Sequence, residues 1–157
     1  MTKKYSRIFL LPALSVFMVF FVSCASMRTS GFNERDIIVR YARNMMDKNY
    51  AYGGDDPSKG FDCSGLVMYA YKETGIIIPR TTLAQYKKAR KIELKNAKEA
   101  DLVFFSTYAE GATHVGIYLG NGKFIHSPST GKKVQIVDME NPYWKKNFYG
   151  AASFFPQ

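Results

Sequence analysis

The hydrophobic period of the chain changes near residue 100, and that change constrains the fold more than any other feature. Before it, Ile37, Ile38, Tyr41, Ala42, Met45 and Met46 recur at helical spacing. Asn33, a good cap, stands ahead of them with Asp36 three positions on, and the helix is expected to end near Lys48 and Asn49. Residues 50–62 carry Gly53, Gly54, Pro57 and Gly60 and read as a loop. A second helix is expected over Ser64 to Thr74, with Leu66, Val67, Ala70 and Tyr71 inward and Gly75 as its stop. Pro79 precedes a third, which Thr82 would cap with Gln85 completing a capping box. After the change, Leu102 to Phe105 is a short apolar run, and Val115, Ile117 and Leu119 alternate with His114, Gly116 and Tyr118. Phe124 to Ser127, Val134 to Val137 and Phe148 to Phe154 also look extended. Helices first and strands second predict an α+β domain, N-terminal helices packed on a C-terminal antiparallel sheet, rather than a βαβ fold.

The 157 residues suit one domain with a proper core, and 46% hydrophobic with 15% aromatic content excludes a largely disordered chain. Residues 1–23 stand apart. Lys3, Lys4 and Arg7 form a basic start, Ile8 to Val22 an apolar run, and Ser23, Cys24, Ala25 and Ser26 a small-residue end. That is the layout of an export signal, short for a permanent span. Ser23 before Cys24 resembles the lipobox of bacterial lipoproteins, although Phe21 stands where Leu is usual. The resemblance implies acylation of Cys24 and a protein exported and lipid-anchored to a bacterial membrane, facing the cell wall from the periplasmic side or the cell surface. The expected boundaries are residues 1–23 for the signal, 24–32 for the lipidated tether and 33–157 for the domain. Removing the signal takes the 22 basic residues to 19 against 13 acidic ones, a balance of +6. Such a surface favours polyanions. The lysines are scattered and no Arg-rich helix stands out, so ordinary solubilising charge is the alternative; no nucleic-acid partner is expected, and a monomer is expected.

Cys24 and Cys63 are the two cysteines. With Cys24 acylated, Cys63 has no intrachain disulfide partner, and a lone thiol in an exported chain points to a nucleophile. It sits in Phe61-Asp62-Cys63-Ser64-Gly65, where the Gly-rich loop meets the second helix. Backbone N–H groups and the dipole there favour a thiolate and could hold an oxyanion. A small buried core cysteine is the plain alternative. A thiol nucleophile needs an imidazole as proton acceptor and donor, and the chain has two, His114 and His126. Either alone could be structural. Gly120-Asn121-Gly122 is a hairpin turn signal. As a three-residue loop it pairs Leu119 with Lys123, Ile117 with Ile125 and Gly116 with His126, so His114 lies diagonally next to His126. A two-residue loop would split the imidazoles between faces, and the hydrophobic pattern disfavours it. In the favoured register His126 is placed to orient His114. One cysteine and two histidines could supply three zinc ligands, but the spacing matches no common structural zinc pattern, so no metal and no cofactor is expected.

Tyr50-Ala51-Tyr52-Gly53-Gly54, Phe61-Asp62-Cys63-Ser64-Gly65-Leu66-Val67, Pro79-Arg80-Thr81, Asp101-Leu102-Val103-Phe104-Phe105, His114-Val115-Gly116-Ile117-Tyr118-Leu119-Gly120-Asn121-Gly122 and Phe124-Ile125-His126 together resemble, in order, the NlpC-type cell-wall endopeptidase family. The resemblance spans roughly residues 33–155. It implies a papain-like α+β fold and hydrolysis of a peptide bond in peptidoglycan stem peptides, commonly the γ-D-glutamyl to diamino-acid bond. It implies Cys63 as nucleophile, His114 as general base and acid, and His126 as the orienting third member. Tyr52 matches a family aromatic that helps the oxyanion site or substrate, with simple packing as its alternative. Asp62 and Arg80 match recurrent polar positions, as braces of the loop around Cys63 or as contacts to the charged stem peptide, and Ser64 would line the substrate groove. The chain departs from the family where Lys98-Glu99-Ala100 replaces a Pro-Gly turn. Two other classes fit these residues: a papain-like amidase or acyltransferase acting on another bond, and a non-catalytic wall-binding lipoprotein.

Overall fold

The computed structural model describes residues 33–156. The signal segment and Cys24 lie outside the described residues. The chain opens with α1 (Glu34–Arg43) and a small antiparallel hairpin of β1 (Asp55–Asp56) and β2 (Gly60–Phe61). Then come α2 (Cys63–Lys72) and α3 (Thr82–Lys88). The strands β3 (Arg90–Ile92), β4 (Leu102–Phe105), β5 (His114–Tyr118), β6 (Lys123–His126), β7 (Gln135–Asp138) and β8 (Phe148–Ser153) complete it, with α4 (Pro142–Asn147) leading into β8. The six strands form one sheet in the order β3-β8-β4-β5-β6-β7, every neighbouring pair antiparallel. This is the α+β order expected from the change of period. Among the described residues no helix is long and apolar enough to cross a membrane.

Capping sets the helix starts. Asn33 and Asp36 form a reciprocal capping box on α1, as the sequence predicts, but α1 stops at Arg43 and a turn takes over. Asp62 caps α2 by accepting the Gly65 N–H at 2.7 Å, so Cys63 is the first residue of that helix. Thr81, not Thr82, caps α3 through the Ala84 N–H. The reading of Thr82 as cap fails because its hydroxyl lies 3.5 Å from Cys63 Sγ. Gln85 completes no capping box: it is fully buried and donates its amide N–H groups to the Ser64 and Pro79 carbonyls.

The sheet carries a core on each face. Ile38, Leu66, Val67, Ala70 and Tyr71 pack with Leu102, Phe104, Val115, Ile117 and Ile125 on one side. Val103, Phe105 and Phe124 pack on the other, against Trp144 and Phe148. That is why Leu102 to Phe105 is a continuous apolar run: strand alternation sends its residues to two faces, and both are covered. The expected hairpin register is the one observed, with Ile117 opposite Ile125 and Tyr118 opposite Phe124. Ion pairing of Arg35 with Asp101 at 2.9 Å, and the Ser153 hydroxyl donating to the same carboxylate, tie α1 to the sheet.

Candidate active site

A cleft of about 1210 Å³ opens where the first turn of α2 meets the ends of β5 and β7. Cys63, His114, Asp62, Ser64, Arg80 and Tyr52 line it, as do Tyr50, Thr82, Gln135 and Trp144. It therefore brings every sequence-predicted site residue of the domain to one surface except His126, which lies fully buried behind His114.

The cysteine is held by backbone. Gly65 packs so closely on the Gly-rich loop that a Cβ there would meet the Gly54 carbonyl oxygen at 2.0 Å. Only glycine lets α2 start against that loop. The half-buried Cys63 sulfur lies 3.5 Å from the Thr82 hydroxyl, with the backbone N–H groups of Val115 and Ser64 near enough to favour its charged form. Val115 follows His114 on β5, so the sulfur meets the strand next to its imidazole. Burial pushes the Cys63 thiol up and the Asp62 charge adds to the rise; the Thr82 hydroxyl and the two N–H groups oppose them without winning. The thiolate expected at a bare helix N-terminus is thus not the resting form: Asp62 has taken the Gly65 N–H, and desolvation outweighs the rest.

The histidines form an edge-to-face, hydrogen-bonded pair. His114 Nε2 lies 2.7 Å from His126 Nδ1, the rings nearly perpendicular. Trp144 lies against both, with ring centroids 5.5 Å from His114 and 4.9 Å from His126. Gln135, directly across the sheet from His126, brings its side-chain amide to 3.4 Å from His126 Nε2. Burial pulls His114 down to about 4 and drives His126 well below the usual imidazole range, with His114 and Lys132 adding to the latter. Both rings are neutral at pH 7.

Asp62 and Arg80 are engaged with each other. Arg80 Nη2 lies 2.6 Å from Asp62 Oδ2, and Arg80 Nη1 donates to Asp62 Oδ1 and the Ser64 hydroxyl at 3.0 Å. The Gly53 N–H donates to Asp62 Oδ2, and Arg80 also reaches the Gly54 carbonyl. Burial alone would raise the Asp62 carboxyl; the Arg80 and Gly65 donors outweigh it and hold it below the usual carboxylate range. Of the two readings for this pair, the contacts are those of a loop brace, and the Ser64 hydroxyl is spent inside it, donating to Asp62 Oδ1.

Tyr52 is 94% exposed on the rim, whereas the Tyr50 hydroxyl feels the charges of Cys63 and Asp62 and is raised, chiefly by burial. Tyr50, Thr82, Gln135 and Trp144 are among the cleft-lining residues not expected at the site from the sequence. Tyr50 stands in the same Tyr-Ala-Tyr run as Tyr52, and Trp144 is the sole tryptophan; nothing in the pattern marks Thr82 or Gln135.

A cysteine opening a helix, set against a histidine on an antiparallel sheet, defines a papain-like α+β domain. The chain belongs to the NlpC/P60 family, whose model matches residues 47–153. It is 51% identical over 111 residues to the murein DD-endopeptidase MepH of Escherichia coli (strain K12), covering 68% of this chain and 41% of that protein. It is 41% identical over 112 residues to the bifunctional muramidase/DL-endopeptidase CwlT of Bacillus subtilis (strain 168), covering 70% of this chain and 33% of that protein. The chain thus spans well under half the length of these relatives. The solved NlpC/p60 domain of the peptidoglycan hydrolase SagA superposes with a TM-score of 0.67 at 35% identity, over 78% of this chain and all of that one.

Proposed function

We propose that this protein is a cysteine endopeptidase that hydrolyses a peptide bond in peptidoglycan stem peptides through a thioester on Cys63. The observation that carries the reading is that Cys63 and His114 line one cleft, with His114 Nε2 bonded to His126 Nδ1 at 2.7 Å. The neutral His114 takes the thiol proton as sulfur attacks the stem carbonyl, then returns it to the leaving amine. The Cys63 N–H at the start of α2, and the Tyr50 hydroxyl that its setting keeps protonated, are the proposed donors to the oxyanion. Water then cleaves the thioester, with His114 as base again. His126 orients His114, Asp62 and Arg80 brace the loop, and Tyr52 and Ser64 border the groove.

The bond proposed is γ-D-glutamyl to diamino acid, a reading supported by relatives named DL-endopeptidase and gamma-DL-glutamyl hydrolase. The MepH likeness favours a second reading, cleavage of a DD crosslink. Digesting defined monomeric and crosslinked muropeptides and weighing the products separates them. Product masses split between glutamate and diamino acid support the first; conversion of dimers to intact monomers overturns it in favour of the second. The export signal and the acylation of Cys24 are likewise proposed, placing the enzyme on a membrane facing the wall as a monomer. Mass spectrometry of the membrane fraction for a diacylated or triacylated Cys24 N-terminus tests that placement.

A further inference from the structure

Two neutral imidazoles joined by one hydrogen bond share one proton between the facing nitrogens, and there are two ways to place it. If His114 Nε2 carries it, His126 Nδ1 accepts, and His114 Nδ1 is bare and able to take the Cys63 proton. His126 must then carry its own proton on Nε2, and that N–H needs an acceptor. If His126 Nδ1 carries the shared proton instead, His114 holds its proton on Nδ1 and cannot act as a base toward sulfur. The choice is therefore set at His126 Nε2, where the Gln135 amide nitrogen stands 3.4 Å away and the amide oxygen would have to be turned in to accept. The amide oxygen and nitrogen of Gln135 exchange places by rotation about the last side-chain bond, so the residue can present an acceptor there. Gln135 is held for the purpose: it is directly opposite His126 in the β6–β7 register, and Trp144 closes the pair from α4. The titratable groups facing His126 are His114 from β5 and Lys132 from the segment before β7, and both disfavour a second positive charge.

We propose that Gln135 is a positioning residue of the site: its amide oxygen accepts the Nε2–H of His126 and so fixes both imidazoles in the tautomer that leaves His114 Nδ1 free to accept the Cys63 proton. The inference rests on His114 acting as the base.

Its test uses the full chain in detergent with ¹⁵N-labelled histidine, alongside muropeptide kinetics. The wild type is expected to carry protons on His114 Nε2 and His126 Nε2, with His114 Nδ1 bare. Gln135→Met keeps the volume and removes the acceptor; it is expected to mix the tautomers and lower kcat roughly ten- to hundredfold with KM little changed. Gln135→Glu, which can only accept, is expected to recover most of the rate, restore the tautomer and move the acidic limb of the pH profile upward. A Gln135→Met protein with the wild-type nitrogen pattern, or with kcat within twofold of wild type, overturns the proposal. His114→Gln with full activity would instead sink the base reading beneath it, and the nitrogen spectra would still decide the tautomer question.

Discussion

Two polar clusters flank Cys63, and they solve burial in opposite ways. Asp62 and Arg80 keep their charges and cancel them against each other, with the neutral Ser64 hydroxyl bonded to both, at distances of 2.6 to 3.1 Å. His114, His126 and Gln135 carry no charge at neutral pH and are joined by hydrogen bonds whose protons can move. The first cluster is a brace with fixed donors and acceptors. The second is kept neutral by desolvation, as the proposed proton acceptor must be before reaction. The difference teaches that charge beside the proposed nucleophile need not be catalytic: the ionised pair is engaged with the loop, and the neutral pair is the one proposed to do the chemistry.

Substitution on the neutral side should produce the largest effect. His114→Gln is expected to lower kcat/KM roughly a thousandfold, within the range of general acid–base catalysis, with the midpoint of urea unfolding little changed. Denaturation paired with muropeptide kinetics checks both halves. Next comes His126→Asn, which keeps a polar group behind His114 and should cost roughly ten- to hundredfold in kcat. Substitution on the charged side should reverse the pattern. Arg80→Met leaves the Asp62 carboxylate without its partner and should cost about 1–2 kcal/mol, a figure discounted because Arg80 is partly exposed. Adding Asp62→Asn, which preserves the cap on α2, should restore much of that stability. If Arg80→Met instead removes activity and leaves stability intact, the brace reading is wrong.

The two clusters should also separate on the pH axis. Between about pH 6.5 and pH 4 the unfolded chain binds protons on two imidazoles that the native state keeps neutral. Stability therefore rises with pH through that window and is lost as pH falls, by about 1.4 kcal/mol for each pH unit that one such group titrates in the unfolded state alone. Asp62, held below its usual value of 3.8, contributes stability that is present above that value and lost only below it. Acid unfolding followed by circular dichroism should show the histidine phase first. His126→Asn should shrink that phase, and Asp62→Asn should leave it unchanged.

How far the sequence reaches differs between these clusters too. The His114–His126 approach is legible because a Gly-Asn-Gly turn and an alternating apolar face leave one register that buries Ile117 and Ile125 together. The placement of Cys63 at the start of α2 follows from a Gly-rich loop running into a helical period, whereas the cap at Asp62 emerges only in the structure. What remains hidden has a local cause. α4 has six residues, too few to show a period, so Trp144 gives no sign of packing on the histidines. β3 is a short edge strand with Arg90 and Lys91 exposed, and it reads as loop. Thr81 and Thr82 are equivalent as caps until the sulfur claims the second hydroxyl. Gln135 opens an ordinary half-buried strand, and only the folded register sets it against His126. The resting thiol was hidden as well, because burial is a property of the packed cleft and not of the helix end.

The central claim is that the Cys63 sulfur forms the bond to substrate. Wild-type protein and Cys63→Ala, both shown to be folded by their thermal unfolding, should be incubated with a defined muropeptide and the products weighed over time. The account predicts stepwise cleavage by the wild type, with an acyl adduct on Cys63 in rapidly quenched samples, and none of either for the variant. Cleavage by Cys63→Ala at the wild-type rate would contradict it.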